Sequence, residues 1–290
     1  MTDLTTDRYS ASEQGLGYIY QPRLALLHLL QLPEDTAVFL EKDDDLDFID
    51  GDGGKSLASL KHKAVGDRLT DLSIDFWKSV NIWLARYRRD GCAASNLRFF
   101  LFTTCTVSAD SFLARLLPHQ PVASGDAATL AALADALLAK SKSPLIGKIA
   151  AEWNELSDPQ KQDFLERILI LDGSPRIGDI PATIKDKHMR SVRRGHREAV
   201  FERLEGWWND AVIKQLTGAR TEGIFGYEVS DKLSAFAEEY KADNLPITFR
   251  GNVPADEIDT DADPRLFVAQ LREIGTVSYT HLTLPTNREV

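Results

Sequence analysis

The chain has 290 residues, 43% hydrophobic and 27% charged, which suits about two globular domains and excludes disorder by default. Its two cysteines, Cys92 and Cys105, argue against a disulfide scaffold or a cysteine zinc site; no apolar run approaches the ~18 residues of a membrane helix, and the N-terminus lacks a signal peptide's pattern. With 34 basic against 44 acidic residues the net charge of −10 has the wrong sign for binding nucleic acid over the whole surface, so the expectation is a cytoplasmic protein whose function, like its charge, is local, with no membrane partner.

In chain order, a helix is predicted over 12–32, with Ser12 able to cap it, Tyr20, Leu24, Leu26, Leu27 and Leu30 on a broad apolar face, and Pro33 ending it. Runs with strand character follow at 37–40, 46–49 and 56–60, parted by acidic or glycine-rich turns such as Asp50-Gly51-Asp52-Gly53-Gly54. Ser73 is predicted to cap a helix carrying Phe76, Trp77, Val80, Trp83, Leu84 and Tyr87 at helical spacing. The continuous apolar run 97–103 then reads as a strand buried on both faces. These elements define an α/β unit over 12–107.

Beyond it the strand signals fade and a helical domain is expected over 108–251, with helices at 126–140, 143–154, 158–171, 195–216 and about 228–241. Residues 252–263 read as an acidic linker, and Pro264 would open a helix starting a further domain over 264–275. Residues 276–290 (TVSYTHLTLPTNREV) match neither the composition nor the periodicity before them. They look like translated sequencing-adapter sequence, in which case the natural protein continues past Gly275.

Charge is concentrated in two places. Residues 41–52 hold Glu41, Asp43, Asp44, Asp45, Asp47, Asp50 and Asp52 against Lys42 alone. Residues 185–197 hold Lys185, Lys187, Arg190, Arg193, Arg194 and Arg197 against Asp186. Metal-assisted cleavage of a phosphodiester needs carboxylates for a hard cation, and a lysine can position the water and offset charge on the phosphate. Glu41 ends the first strand, Asp44 and Asp45 open the second and Lys61 closes the third, which sets acid and lysine side by side across a sheet. Taken alone, the acidic run also reads as a solvated turn, and the basic run as a solvated helix face. The pairs Trp77/Trp83 and Trp207/Trp208 follow helical spacing and read as core rather than base-stacking platforms. No P-loop, GxGxxG or zinc spacing is present.

A set of motifs now becomes specific: Gly17-x-x-Tyr20-Gln21, Glu41-x-x-Asp44-Asp45, Ser59-Leu60-Lys61-His62, and Phe76-Trp77-Lys78 with Trp83. Over residues 12–107 the chain resembles the double-strand DNA endonuclease domain of bacterial CBASS-type antiviral defence, a branch of the PD-(D/E)xK superfamily. The resemblance implies a restriction-endonuclease-like α/β domain, a small mixed sheet flanked by helices, followed by an all-α region. It places the catalytic lysine at Lys61, Mg2+ (or Mn2+) on Asp45 and Glu41, and supporting roles at Gln21, Asp44 and Ser59. The family carries Gln or an acid where this chain has Ser59, which puts metal affinity in question. A degenerate nuclease fold that binds DNA or partner proteins is therefore the alternative. Arg203-Leu204-Glu205-Gly206-Trp207-Trp208, Asn244-Leu245-Pro246 and Phe267-Val268-Ala269-Gln270-Leu271 with Ile274 resemble the helical region of ABC-three-component proteins. That likeness implies an SMC-like ATPase and a small middle component as partners beside double-stranded DNA, and leaves a homo-oligomer open. Lys187, Arg190, Arg193 and Arg194 are the expected DNA contacts.

Overall fold

A computed structural model describes residues 11–118 and 126–240. Contacts divide the chain after Tyr240. The expected acidic linker at 252–263, the domain start at 264–275, the tail, and the motifs at 244–246 and 267–274 all lie outside the described residues.

The elements run α1 (Ala11–Leu29), β1 (Ala37–Leu40), β2 (Leu46–Ile49), β3 (Lys55–Lys61), β4 (Arg68–Leu69), α2 (Ile74–Arg89), β5 (Leu97–Thr103), β6 (Thr106–Val107), α3 (Asp126–Lys140), α4 (Pro144–Trp153), α5 (Asp158–Glu166), β7 (Ile168–Leu171), α6 (Ile180–Lys187), α7 (Arg197–Leu216), β8 (Ile224–Phe225) and α8 (Gly226–Glu239). The fold is α/β: a mixed six-stranded sheet in the order β7-β5-β3-β2-β1-β8, flanked by helices, with β4 and β6 forming a separate two-stranded sheet. β1, β2, β3 and β8 pair antiparallel, whereas β3, β5 and β7 run parallel. Two cores cover the two faces. On one, α2, α3, α4 and α5 pack over Leu57, Leu97, Phe99, Leu101, Ile168 and Ile170. On the other, α1, α6, α7 and α8 pack over Val38, Leu40, Leu46, Phe48, Ala58, Leu60 and Phe102. β5 reads as an unbroken apolar run because alternate residues feed opposite cores, as period-2 side chains must.

Four expectations are corrected. The stretch 158–171 is not one helix: α5 ends at Glu166 and Ile168–Leu171 becomes β7, with Phe99 opposite Ile168. Its β-branched residues at 168 and 170 drop into the core beside β5, so tertiary pairing overrides the helical pattern. The second half is therefore not all-α, because β7 and β8 form the two edges of the sheet. For the same reason residues up to Tyr240 make one compact unit with no separate domain beginning at 108. Ser73 does stand at the start of α2, but its hydroxyl accepts the Thr70 N–H at 2.8 Å instead of capping the helix. Among the described residues no helix is long and apolar enough to cross a membrane.

Candidate active site

The carboxyl ends of β1, β3 and β5 lie at the same end of the sheet as the start of β2, because β1 and β2 form a hairpin and β3 and β5 run parallel. This places Glu41, Asp45 and Lys61 around one point. Asp45 Oδ2 accepts the Leu60 N–H at 2.6 Å and faces Lys61 Nζ at 3.8 Å. Gln21, buried on α1, donates from Nε2 to Glu41 Oε1 at 2.8 Å and to Asp45 Oδ1 at 3.2 Å. One amide nitrogen thus bridges two carboxylates that would otherwise repel each other. Glu41 is exposed and its backbone is left-handed, with φ of 52°, a region that costs a residue bearing a Cβ about 1 kcal/mol or more. Strain of this kind collects where a side chain has to be held for a purpose.

Asp44 points inward. It is 8% exposed, its Oδ2 accepts the Trp83 indole N–H at 2.7 Å and its Oδ1 accepts the Asp45 N–H at 2.9 Å. Burial pushes its pKa up to about 6; the Trp83 hydrogen bond works against that rise and the Asp45 charge adds to it. Its contacts are those of an anchor for the loop, not of an ion ligand. Ser59 is buried on the α2 face of β3. Its Oγ accepts from Lys61 Nζ at 2.9 Å and from Ser79 Oγ at 2.7 Å. Ser79 Oγ also lies 3.1 Å from the Asp75 carbonyl, so its single hydrogen is shared between that oxygen and Ser59.

Ser79 escaped the sequence reading, and Trp83 and Asp47 were read there without their partners. Ser79 and Trp83, four residues apart on α2, supply the hydrogen bonds to Ser59 and Asp44. Asp47, 0% exposed, accepts the Asp43 and Asp44 N–H groups at 3.3 and 3.1 Å and lies 2.9 Å from Lys55 Nζ. Lys55 and Arg86 both pair with Asp43. The readable signal was that Asp47 sits inside an alternating strand, where a charged residue has to find partners. His62 alternates away from Lys61: its ring lies 5.0 Å from that of Tyr20 on α1.

Lys187, Arg190, Arg193 and Arg194 are exposed at the junction of α6 and α7, with Arg190 Nε donating to the Asp186 carbonyl at 3.0 Å. No hydrogen bond or ion pair among the described residues joins them to the carboxylate cluster. Also among the described residues, no group of three His, Cys, Asp or Glu is arranged to hold a metal. A Mg2+ ion commonly takes one or two carboxylates and fills its shell with water and substrate phosphate, and Asp45 with Glu41 fits that donor set. The Gln21 amide hydrogens already mark the space between these two carboxylates as one that favours positive charge.

No protein-family model matches the sequence, and no curated protein matches it. Among solved structures the chain is similar to the Moraxella osloensis Cap4 SAVED/CARF-domain containing receptor, at 14% identity and a TM-score of 0.49 over 77% of this chain and 48% of that one. It is also similar to the Acinetobacter baumannii Cap4 SAVED/CARF-domain containing receptor, at 12% identity, a TM-score of 0.44, and 77% and 47% of the two chains. The same receptor with the cyclic trinucleotide 2'3'3'-cAAA gives 12% identity and a TM-score of 0.43 over 77% and 46%. The chain spans about half the length of these solved structures.

Proposed function

We propose that this chain is a metal-dependent double-strand DNA endonuclease acting in bacterial antiviral defence. The observation that carries the reading is the meeting of Gln21, Glu41, Asp45 and Lys61 at one end of the sheet. Asp45 and Glu41 would hold Mg2+ or Mn2+. A bound ion would activate water and supply positive charge beside the phosphate. Lys61, facing Asp45 and steadied by Ser59, positions the attacking water and offsets charge gathering on the phosphoryl oxygens. Gln21 keeps both carboxylates turned to the same space. The defence setting, the SMC-like ATPase, the small middle component and self-association belong to the proposal through the sequence resemblance alone; co-purification from a native host tests them.

The chemistry is tested by plasmid nicking with the full chain in Mg2+ or Mn2+. Chelator is expected to abolish cutting, and Lys61→Ala to slow it by about 100-fold or more. Wild-type cutting by Lys61→Ala overturns the assignment.

A second reading rests on Ser59. Its hydroxyl is neutral, already accepts from Lys61 and is bonded to Ser79, which makes it a poor ligand for a cation, and the fold then serves as a docking module for DNA or partner proteins. That reading expects no cutting in any metal, with salt-dependent DNA binding that weakens when Arg193 and Arg194 are replaced.

A further inference from the structure

The loop between β7 and α6 is tied to the same end of the sheet at three points. Gly173 and Ser174 donate their N–H groups to the carbonyls of Cys105 and Thr103, at 3.1 and 2.9 Å, which fastens the loop to the end of β5. Tyr20, the residue before Gln21, donates its hydroxyl to the Pro175 carbonyl at 3.1 Å. Arg176 Nη1 donates to the Lys63 carbonyl at 2.9 Å, two residues past Lys61. Arg176 is therefore held just past the end of β3, at the end of the sheet that carries the carboxylate and lysine cluster, by a loop fastened to α1, β5 and the Lys63 carbonyl.

Its charge is uncompensated. Arg23, Arg86, Arg88, Arg89, Arg167, Arg203 and Arg220 each pair with a carboxylate. Arg176 is partly buried, and no carboxylate pairs with it among the described residues. Of the neighbouring lysines, Lys63 is paired with Asp75 and Lys61 faces Asp45. The pKa of His62 is lowered by burial and then by the Arg176 charge itself. One of five guanidinium donors is spent on a carbonyl, which leaves a planar fork suited to a phosphate. Removing a guanidinium partly from water without a counter-charge is unfavourable, and an arriving anion reverses that cost.

We infer that Arg176 binds a backbone phosphate of duplex DNA and seats the strand over Lys61 and Asp45. This rests on the endonuclease reading, and the test separates the two. Binding of the full chain to a labelled duplex is measured by fluorescence anisotropy in EDTA, across a series of salt concentrations. Each phosphate contact contributes a slope of about −0.9 to log K against log salt. Arg176→Gln keeps an N–H donor for the Lys63 carbonyl but not the charge, and is expected to make the slope shallower by about 0.9. Arg176→Lys, which keeps the charge, is expected to hold the wild-type slope. Arg176→Met carries the same comparison if the Gln variant does not fold. A neutral variant with the wild-type slope overturns the phosphate contact and leaves the endonuclease reading standing. A wild-type chain without salt-dependent association with the duplex overturns both.

Discussion

Glu41 combines an unfavourable backbone with a carboxylate set beside another carboxylate, and both features work against stability. Glycine adopts its left-handed conformation freely. Glu41→Gly is therefore expected to raise the unfolding free energy by up to about 1 kcal/mol while removing metal-dependent cutting. Urea unfolding and plasmid nicking read the two effects separately; a destabilised variant would mean that the Glu41 side chain serves the fold and not the chemistry. Trp83 makes a different point. Its helical spacing identified it as core, where it is fully buried and stacks on Phe99 at 5.5 Å between ring centroids. Its indole N–H nonetheless holds Asp44, 39 positions earlier in the chain. Spacing along one helix cannot name a partner on another element.

The hairpin loop between β1 and β2 carries the candidate metal ligands, and its shape is imposed from below. Asp47 gathers two backbone N–H groups of the loop, Lys55 from β3 balances Asp47 and Asp43, and Arg86 from α2 pairs with Asp43 at 2.5 Å. The acidic stretch is thus only partly a solvated turn: Asp50 and Asp52 are exposed, while Asp44 and Asp47 are buried. Lys55→Met strips the buried Asp47 of its counter-charge and is expected to cost about 3 kcal/mol in chemical denaturation. Adding Asp47→Asn should recover part of that loss, since the amide oxygen still accepts a backbone N–H and no charge is left buried. A loss well under 1 kcal/mol from Lys55→Met would show that Arg86 balances the cluster by itself.

Over the whole molecule, the region of residues 11–118 lacks a core of its own on one face. Phe201, Leu204 and Trp208 of α7 cover that face with α1; Trp208 Nε1 donates to the Pro22 carbonyl at 2.8 Å and Arg23 pairs with Glu205 at 2.6 Å. Residues 11–118 alone would expose this apolar layer and both sheet edges. They are expected to lack a cooperative thermal transition and to bind a hydrophobic dye, whereas the chain through Tyr240 melts sharply. A sharp transition in the short piece would restore a domain boundary near residue 107.

The local elements around the site were readable because each depends on short-range pattern: Pro33 after a helix, alternation in the hairpin, helical spacing in α2, and an unbroken apolar run where β5 is buried on both sides. The candidate residues Gln21, Glu41, Asp45 and Lys61 were identified by their motifs, at positions those elements bring to one place. What pattern could not decide was every outcome that depends on contact between distant segments. Ile168–Leu171 is apolar enough for helix or strand, and only the free place beside β5 makes it β7. Ser59 and Ser79, twenty positions apart, become partners because α2 lies across β3. Arg176 has no local pattern of its own; its place at Lys63, just past the end of β3, comes from a loop tied at once to α1, β5 and that segment. Side-chain periodicity is written along the chain, whereas the pairing of buried charges and the closing of a sheet's edges are settled by packing.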